Sequence, residues 1–140
     1  MAAWHQGNYV PVNKSKCMNT KPITFKSGWE KRVMLVLDMN PSIVRWGSEN
    51  IPINYYNPIK KRACVYLPDL YVEIKDKKGQ IHRYIYEIKP AKEAFASRAK
   101  SKYDKMSLLV NLCKWRACQE FCKKYGIVFK ILTEEQLFKV

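Results

Sequence analysis

Asp69 stands at the head of one run of β-forming residues, and Glu87-Ile88-Lys89 closes the next. Side chains two apart on a strand share a face, so Glu87 and Lys89 point one way and Ile88 the other. If the two runs pair antiparallel, the start of the first meets the end of the second. Two carboxylates and one ammonium then converge. Carboxylate oxygens bind hard cations such as Mg²⁺ together with water and substrate phosphate. A cation so held polarises a phosphoryl oxygen, acidifies water and neutralises the leaving oxygen. A neighbouring ammonium orients the water or stabilises developing negative charge. The chemistry implied is metal-assisted phosphodiester hydrolysis. The same residues also fit an exposed strand face on which Glu87 and Lys89 merely pair across solvent.

The elements that must position these groups are legible around them. Leu67–Ile74 and Ile81–Ile88 are β-formers, and Asp76-Lys77-Lys78-Gly79 between them supplies a polar turn with a glycine for positive φ. Ser27-x-x-Glu30 is a capping box in which Glu30 reaches back to the Ser27 N–H. A helix follows with Trp29, Val33, Val36 and Leu37 facing the core, and Asn40-Pro41 ends it. Ser42–Trp46 and Ile51–Tyr56 are short strands around the Gly47-Ser48-Glu49 turn. Ile59-Lys60-Lys61-Arg62 is a basic loop, read either as a solvated turn or as a phosphate clamp. Ala91–Lys105 is a basic segment that starts helical; most of its charges are solvated, and some, Lys92 among them, face DNA phosphates. A long helix from Lys105 to Lys124 ends at Gly126. Its two apolar stripes pack on the sheet and on a further element, and Asn111 and Lys114 share a face. Ile127–Leu132 is a buried strand, and Thr133-x-x-Gln136 caps a last helical turn. Residues 1–22 show no periodicity and read as an extended basic arm, either a partly disordered tail or a segment docked on its own core, on DNA or on a partner protein; residues 23–140 form the domain.

A chain of 140 residues suits one such domain. Twenty-six basic against twelve acidic residues leave a formal net charge of +14. Such an excess favours a polyanionic partner, double-stranded DNA foremost, bound in a salt-dependent way. No apolar span, lipidation motif or basic amphipathic helix points to a membrane. The absence of a signal-peptide pattern suggests a reducing compartment. Five cysteines without a C-x-x-C are expected to be unpaired. Cys118 and Cys122 read as small buried hydrophobes rather than zinc ligands with His82 or His5. No Gly-rich phosphate loop or Ser-His-Asp order appears, so nucleotide-driven and His-based hydrolysis are not supported, and no small-molecule cofactor is implied.

Pro68-Asp69 with Glu87-Ile88-Lys89 resembles the PD-(D/E)xK nuclease signature. The likeness extends outward through Phe25-Lys26-Ser27-Gly28-Trp29-Glu30, Trp46-Gly47-Ser48-Glu49, Ile51-Pro52-Ile53 and Tyr55-Tyr56-Asn57-Pro58. It continues through Asn111, Lys114-Trp115 and Phe121–Glu134. In order and spacing the chain is similar to the tailed-phage head-completion nucleases and to the endonuclease subunits of heteromeric transposases. The resemblance implies an α/β, restriction-endonuclease-like fold, a central mixed sheet flanked by helices. It implies a deoxyribonuclease using Mg²⁺, with Mn²⁺ as a substitute. Asp69 and Glu87 would hold the metal with Glu30 as third carboxylate and the Ile88 carbonyl as a further ligand. Lys89 would orient or activate water. Lys114 and Asn111 would border the DNA, with Lys60, Lys61 and Arg62 nearby. It further implies phage portal and neck proteins as partners, and the virion neck and host cytoplasm as places of action. A structural connector or DNA-end plug with secondary or no nuclease activity remains the alternative of a different class, and a transposase endonuclease subunit is a third.

Overall fold

Residues 70–73 are buried on both faces of one strand, and the main sheet and its two cores are built around it. The computed structural model describes residues 6–89 and 101–133. Its elements are β1 (Gly7–Tyr9), a 3-10 turn (Lys14–Lys16), β2 (Ile23–Phe25), α1 (Gly28–Met39), β3 (Ile43–Ser48), β4 (Ile53–Asn57), β5 (Arg62–Tyr66), β6 (Leu70–Lys75), β7 (Ile81–Ile88), α2 (Lys102–Tyr125) and β8 (Val128–Leu132). The main sheet has the order β3-β6-β7-β8. β3, β6 and β7 are antiparallel neighbours, and β8 runs parallel to β7. A parallel neighbour needs a long crossover, and α2 lies within it.

The two faces of the sheet carry separate cores. On one, Met34 and Leu37 of α1 pack with Trp46, Leu70, Val72 and Ile88. On the other, Trp115, Cys118 and Cys122 of α2 pack with Tyr71, Ile85, Tyr55 and Tyr66. The fold is therefore the mixed α/β sheet with helices on both faces that the sequence implied. Trp46 is wholly buried, and its truncation to Ala should cost about 3–5 kcal/mol. A Cβ at Gly47 beside it would run into the Asn50 carboxamide, which would have to move aside.

Local signals explain the element ends. Gly79 has φ 83 in the β6–β7 turn, where Asp76 Oδ1 accepts from the N–H groups of Lys78 and Gln80. Gly126 ends α2 in the left-handed conformation, and Ser101 with Asp104 forms a full capping box at its start.

Several expectations are corrected. Within the expected arm, the described residues 6–22 hold β1 and the 3-10 turn and dock on the chain's own core. β1 pairs with β2, and Tyr9 enters the first core. The wholly buried Asp38 carboxylate accepts from Tyr9 Oη (2.6 Å), Val12 N (2.7 Å) and Asn13 N (2.9 Å). The capping box of α1 is half formed: Glu30 N donates to Ser27 Oγ, but Glu30 Oε1 accepts from Lys26 N instead of Ser27 N. Val36 is exposed, and Met34 takes its expected place. β3 and β4 do not pair with each other. β4 pairs with β5, a strand the sequence did not reveal, so the basic loop is the tip of a two-stranded ribbon. The hairpin's first strand begins at Leu70 rather than Leu67, and α2 begins three residues before Lys105. Leu109 and Leu112 of α2 are exposed, which leaves a narrower apolar stripe than its composition suggests. β8 is a half-buried edge strand rather than a buried one. The expected basic helical segment over residues 91–100, Lys92 within it, His5 and the turn through Gln136 lie outside the described residues.

Candidate active site

Strand β7 outruns its neighbour β6, and the site forms where they part. Their pairing ends at Leu70 opposite Tyr86. Past that point the Ile88 N–H donates not to a strand carbonyl but to Asp69 Oδ2, at 2.7 Å. A side chain thus supplies the last rung of the ladder. On its other side β7 stays paired, Lys89 N donating to Leu132 O at 2.9 Å. The backbone of Asp69 is fixed in turn, since its carbonyl accepts from Glu49 N at 3.1 Å. Glu49 has φ 49, an uncommon conformation for a residue with a side chain.

Glu87 is buried on the α2 side of the sheet. Tyr66, from the end of β5, donates its hydroxyl hydrogen to Glu87 Oε1 at 2.6 Å. Lys89 Nζ lies 3.7 Å from Glu87 Oε2. Asp69, Glu87 and Lys89 therefore come together as their spacing predicted. Burial pushes the Asp69 carboxyl up to about 8, with repulsion from Glu87 the next cause; the Ile88 N–H and Lys89 act in the opposite direction. Glu87 is raised too, by burial, against the favourable Tyr66 hydroxyl and Lys89. Both carboxylates stay raised although Lys89 favours their charged forms and Lys114 also favours that of Glu87. Oxygen donors in that state suit a hard divalent cation, which would relieve both the burial and the repulsion.

Glu30 is placed differently. It stands in the first turn of α1, near enough to raise the Asp69 pKa, but its Oε1 is held by Lys26 N. Among the described residues no three His, Cys, Asp or Glu side chains are grouped closely enough to hold a metal ion. Lys26 also lies 3.9 Å from Glu49 Oε2, so its backbone and side chain link the two glutamates that flank Asp69. Cys118 and Cys122 are buried with their sulfurs 4.0 Å apart, while His82 pairs with Asp76.

Lys114 joins the site from α2. Its ammonium lies over the rings of Tyr55 and Tyr66. Burial lowers its pKa, Lys89 and Lys60 add to that, and Glu87 opposes it. Lys60 is thus brought toward the site from the ribbon tip. Lys61 and Arg62 are exposed beyond it, with Lys61 in the left-handed region at φ 55. Asn111 lies on the wall of a cleft that also reaches Lys114. Tyr66 was missed in the sequence because β5 was missed; its place three residues before Asp69 was the available signal. Lys26 gave none.

The model of the TnsA-like endonuclease N-terminal family matches residues 40–134. That range holds Asp69, Glu87, Lys89, Tyr66 and Lys114, and excludes Glu30. A protein of Enterobacteria phage T4 named "Head completion nuclease" is 37% identical over 144 aligned residues, which cover 95% of this chain and 93% of the relative.

Proposed function

We infer that this chain, which belongs to the TnsA-like endonuclease family, is a metal-dependent deoxyribonuclease whose reacting centre is Asp69, Glu87 and Lys89. The single observation that carries the reading is the desolvated carboxylate pair with Lys89 beside it. Asp69 and Glu87 would hold a divalent cation, Mg²⁺ or Mn²⁺ in its place. The Ile88 carbonyl is a further donor, and Glu30 joins once it exchanges the Lys26 N–H for the site. The cation would supply charge neutralisation at the phosphate and at the leaving oxygen.

The protein's own groups do the rest. Tyr66 holds Glu87 in one orientation, and the Ile88 N–H does the same for Asp69. Lys89 orients a water toward phosphorus. As the water oxygen bonds to phosphorus, the bond to the leaving sugar oxygen breaks; one water proton is lost and the leaving oxygen gains one. Lys114, Lys60, Lys61 and Arg62 position the duplex through its phosphates, with Asn111 beside them.

The likeness to the phage relative supports a role in head completion, acting on packaged DNA at head–tail joining, with portal and neck proteins as partners. The places of action would be the virion neck and the host cytoplasm. Among the described residues no helix is long and apolar enough to cross a membrane. A second reading, a connector with secondary nuclease activity, is favoured by the exposed Leu35, Val36 and Met39 of α1, apolar surface that a protein partner would cover.

The test is cleavage of plasmid and linear duplex in Mg²⁺ or EDTA, comparing wild type with Lys89→Ala. Metal-dependent cutting lost in the variant is the expected result. Cutting retained in the variant sinks the assignment, and no cutting by folded, DNA-binding wild type favours the connector.

A further inference from the structure

Between the tip of the β4–β5 ribbon and the first turns of α2 lies an open cleft of about 310 Å³, at the lower end of what ligand pockets offer. Met106 and Val110 give it an apolar side. Tyr103 stands at its rim with 78% of its surface exposed. Asn111, Lys60 and Lys114 line it as well. Tyr103, Asn111 and Lys114 fall on one stripe of α2, which runs about 16 Å along the helix axis.

The cleft adjoins the reacting centre through Lys114, whose ammonium lies over the ring of Tyr66, the hydrogen-bond partner of Glu87. Lys114 is close enough to Glu87, Lys89 and Lys60 for all three to act on its charge. Three like charges gathered there, two of them lining the cleft, fit an anionic strand laid in it. Phosphate contacts alone explain the lysines, but not an apolar wall capped by an exposed aromatic ring beside them. A base held in a duplex cannot enter such a cleft, because its faces are already stacked. An unpaired base can, and it gains an aromatic partner. Asn111 offers both an amide donor and an acceptor to the edge of that base.

We propose that this cleft receives an unpaired nucleotide of the strand being cut, Tyr103 stacking on its base while Lys60 and Lys114 take the adjoining phosphates. The proposal rests on the nuclease reading and adds a subsite to it. The test is fluorescence anisotropy in EDTA with two short DNA probes, one blunt and one carrying a single-stranded overhang, titrated with wild type, Tyr103→Ala and Tyr103→Phe. Wild type should bind the overhang probe more tightly. Tyr103→Ala should lose about 5- to 150-fold on it, the range for one base–aromatic stack, and Tyr103→Phe should keep the preference. A 2-aminopurine at the first unpaired position should change its fluorescence with wild type and Tyr103→Phe only.

Equal wild-type affinity for both probes would overturn the proposal. So would Tyr103→Ala losing equally on both, or Tyr103→Phe behaving like Tyr103→Ala. The exposed position of Tyr103 leaves the fold unaffected, which matching Tm values would verify. The difference between overhang and blunt probes in EDTA reads the cleft without the chemistry. Cleavage of the same probes in Mg²⁺, with Lys89→Ala as control, reads the reacting centre, so failure of one is distinguishable from failure of the other.

Discussion

The hydroxyl of Tyr66 donates to Glu87 Oε1 at 2.6 Å across 21 residues of sequence, and so ties the end of the β4–β5 ribbon to the site on β7. This bond favours the charged form of a carboxylate that burial disfavours. Tyr66→Phe should therefore weaken metal binding, and with it cleavage near neutral pH, by about 10- to 100-fold, the usual effect of losing such a supporting group. Raising the pH or the Mg²⁺ concentration should recover part of the rate. Measured cleavage rates that stay at the wild-type level across Mg²⁺ concentrations would remove Tyr66 from this role.

The Asp69 carboxyl is pushed up to about 8, first by burial and then by Glu87, whereas in an unfolded chain it titrates near 3.9. Between those values the native state holds a proton that the unfolded state has lost, so stability falls as pH rises and the loss is complete above about 8. The raised Glu87 acts in the same direction. Tm of EDTA-treated protein should drop from pH 5 to pH 8.5, with each kcal/mol lost costing about 4 °C. Asp69→Asn, which keeps an acceptor for the Ile88 N–H, should flatten the slope. Mg²⁺ added at pH 8 should raise Tm. A wild-type Tm that climbs through this window would contradict the arrangement.

Asp38 is predicted to anchor residues 9–13. Its carboxylate satisfies one hydroxyl and two backbone N–H groups, and its carbonyl accepts from Asn13 Nδ2 and Lys16 Nζ. Asp38→Ala strands the three donors to the carboxylate and should cost at least about 3 kcal/mol in urea unfolding. Limited proteolysis should then cut ahead of β2, where wild type resists. The Asp38 carboxyl is held below its usual range, burial opposing and the Tyr9 hydroxyl leading the groups that lower it. Its contribution is therefore present at neutral pH and lost only as pH falls through that lowered value.

Lys114→Ala should weaken binding of blunt duplex in EDTA by a similar factor whatever its sequence, and reduce the slope of log affinity against log salt by about 1. Lys114→Arg should restore the slope. Binding isotherms at several salt concentrations decide it. An unchanged slope in the alanine variant would place Lys114 off the phosphate track.

How much was legible follows from where the information sits. The β6–β7 hairpin could be read because Gly79, the alternation around it and the polar pair at its open end are all local. The same holds for Ser27 and Gly126 at helix ends. The β4–β5 ribbon could not, because Arg62, Ala63 and Val65 are exposed and β5 shows no clean alternation of apolar residues. The first strand was hidden for another reason. Gly7–Tyr9 is too short to carry a period, and its order comes from Asp38, a charge whose burial no local pattern announces. Glu30 was legible as a helix cap, but which N–H it would take was decided by the path of the chain through Lys26.

The contacts that build the site are also among the nearer ones along the chain. Asp69 to Ile88 closes 19 residues and Tyr66 to Glu87 closes 21, whereas the β7–β8 pairing joins Tyr84 to Val128 across the whole of α2. Nearer contacts close sooner, and a parallel partner must wait for its crossover. During synthesis the two carboxylates should meet while still in water, where their repulsion is weak. Only when α2 docks and brings Trp115 and Cys118 onto that face does their burial become costly. On this order the electrostatic penalty of the site is expected late in folding, on a hairpin already formed, and pulse-labelled hydrogen exchange protecting β6 and β7 before α2 would show it.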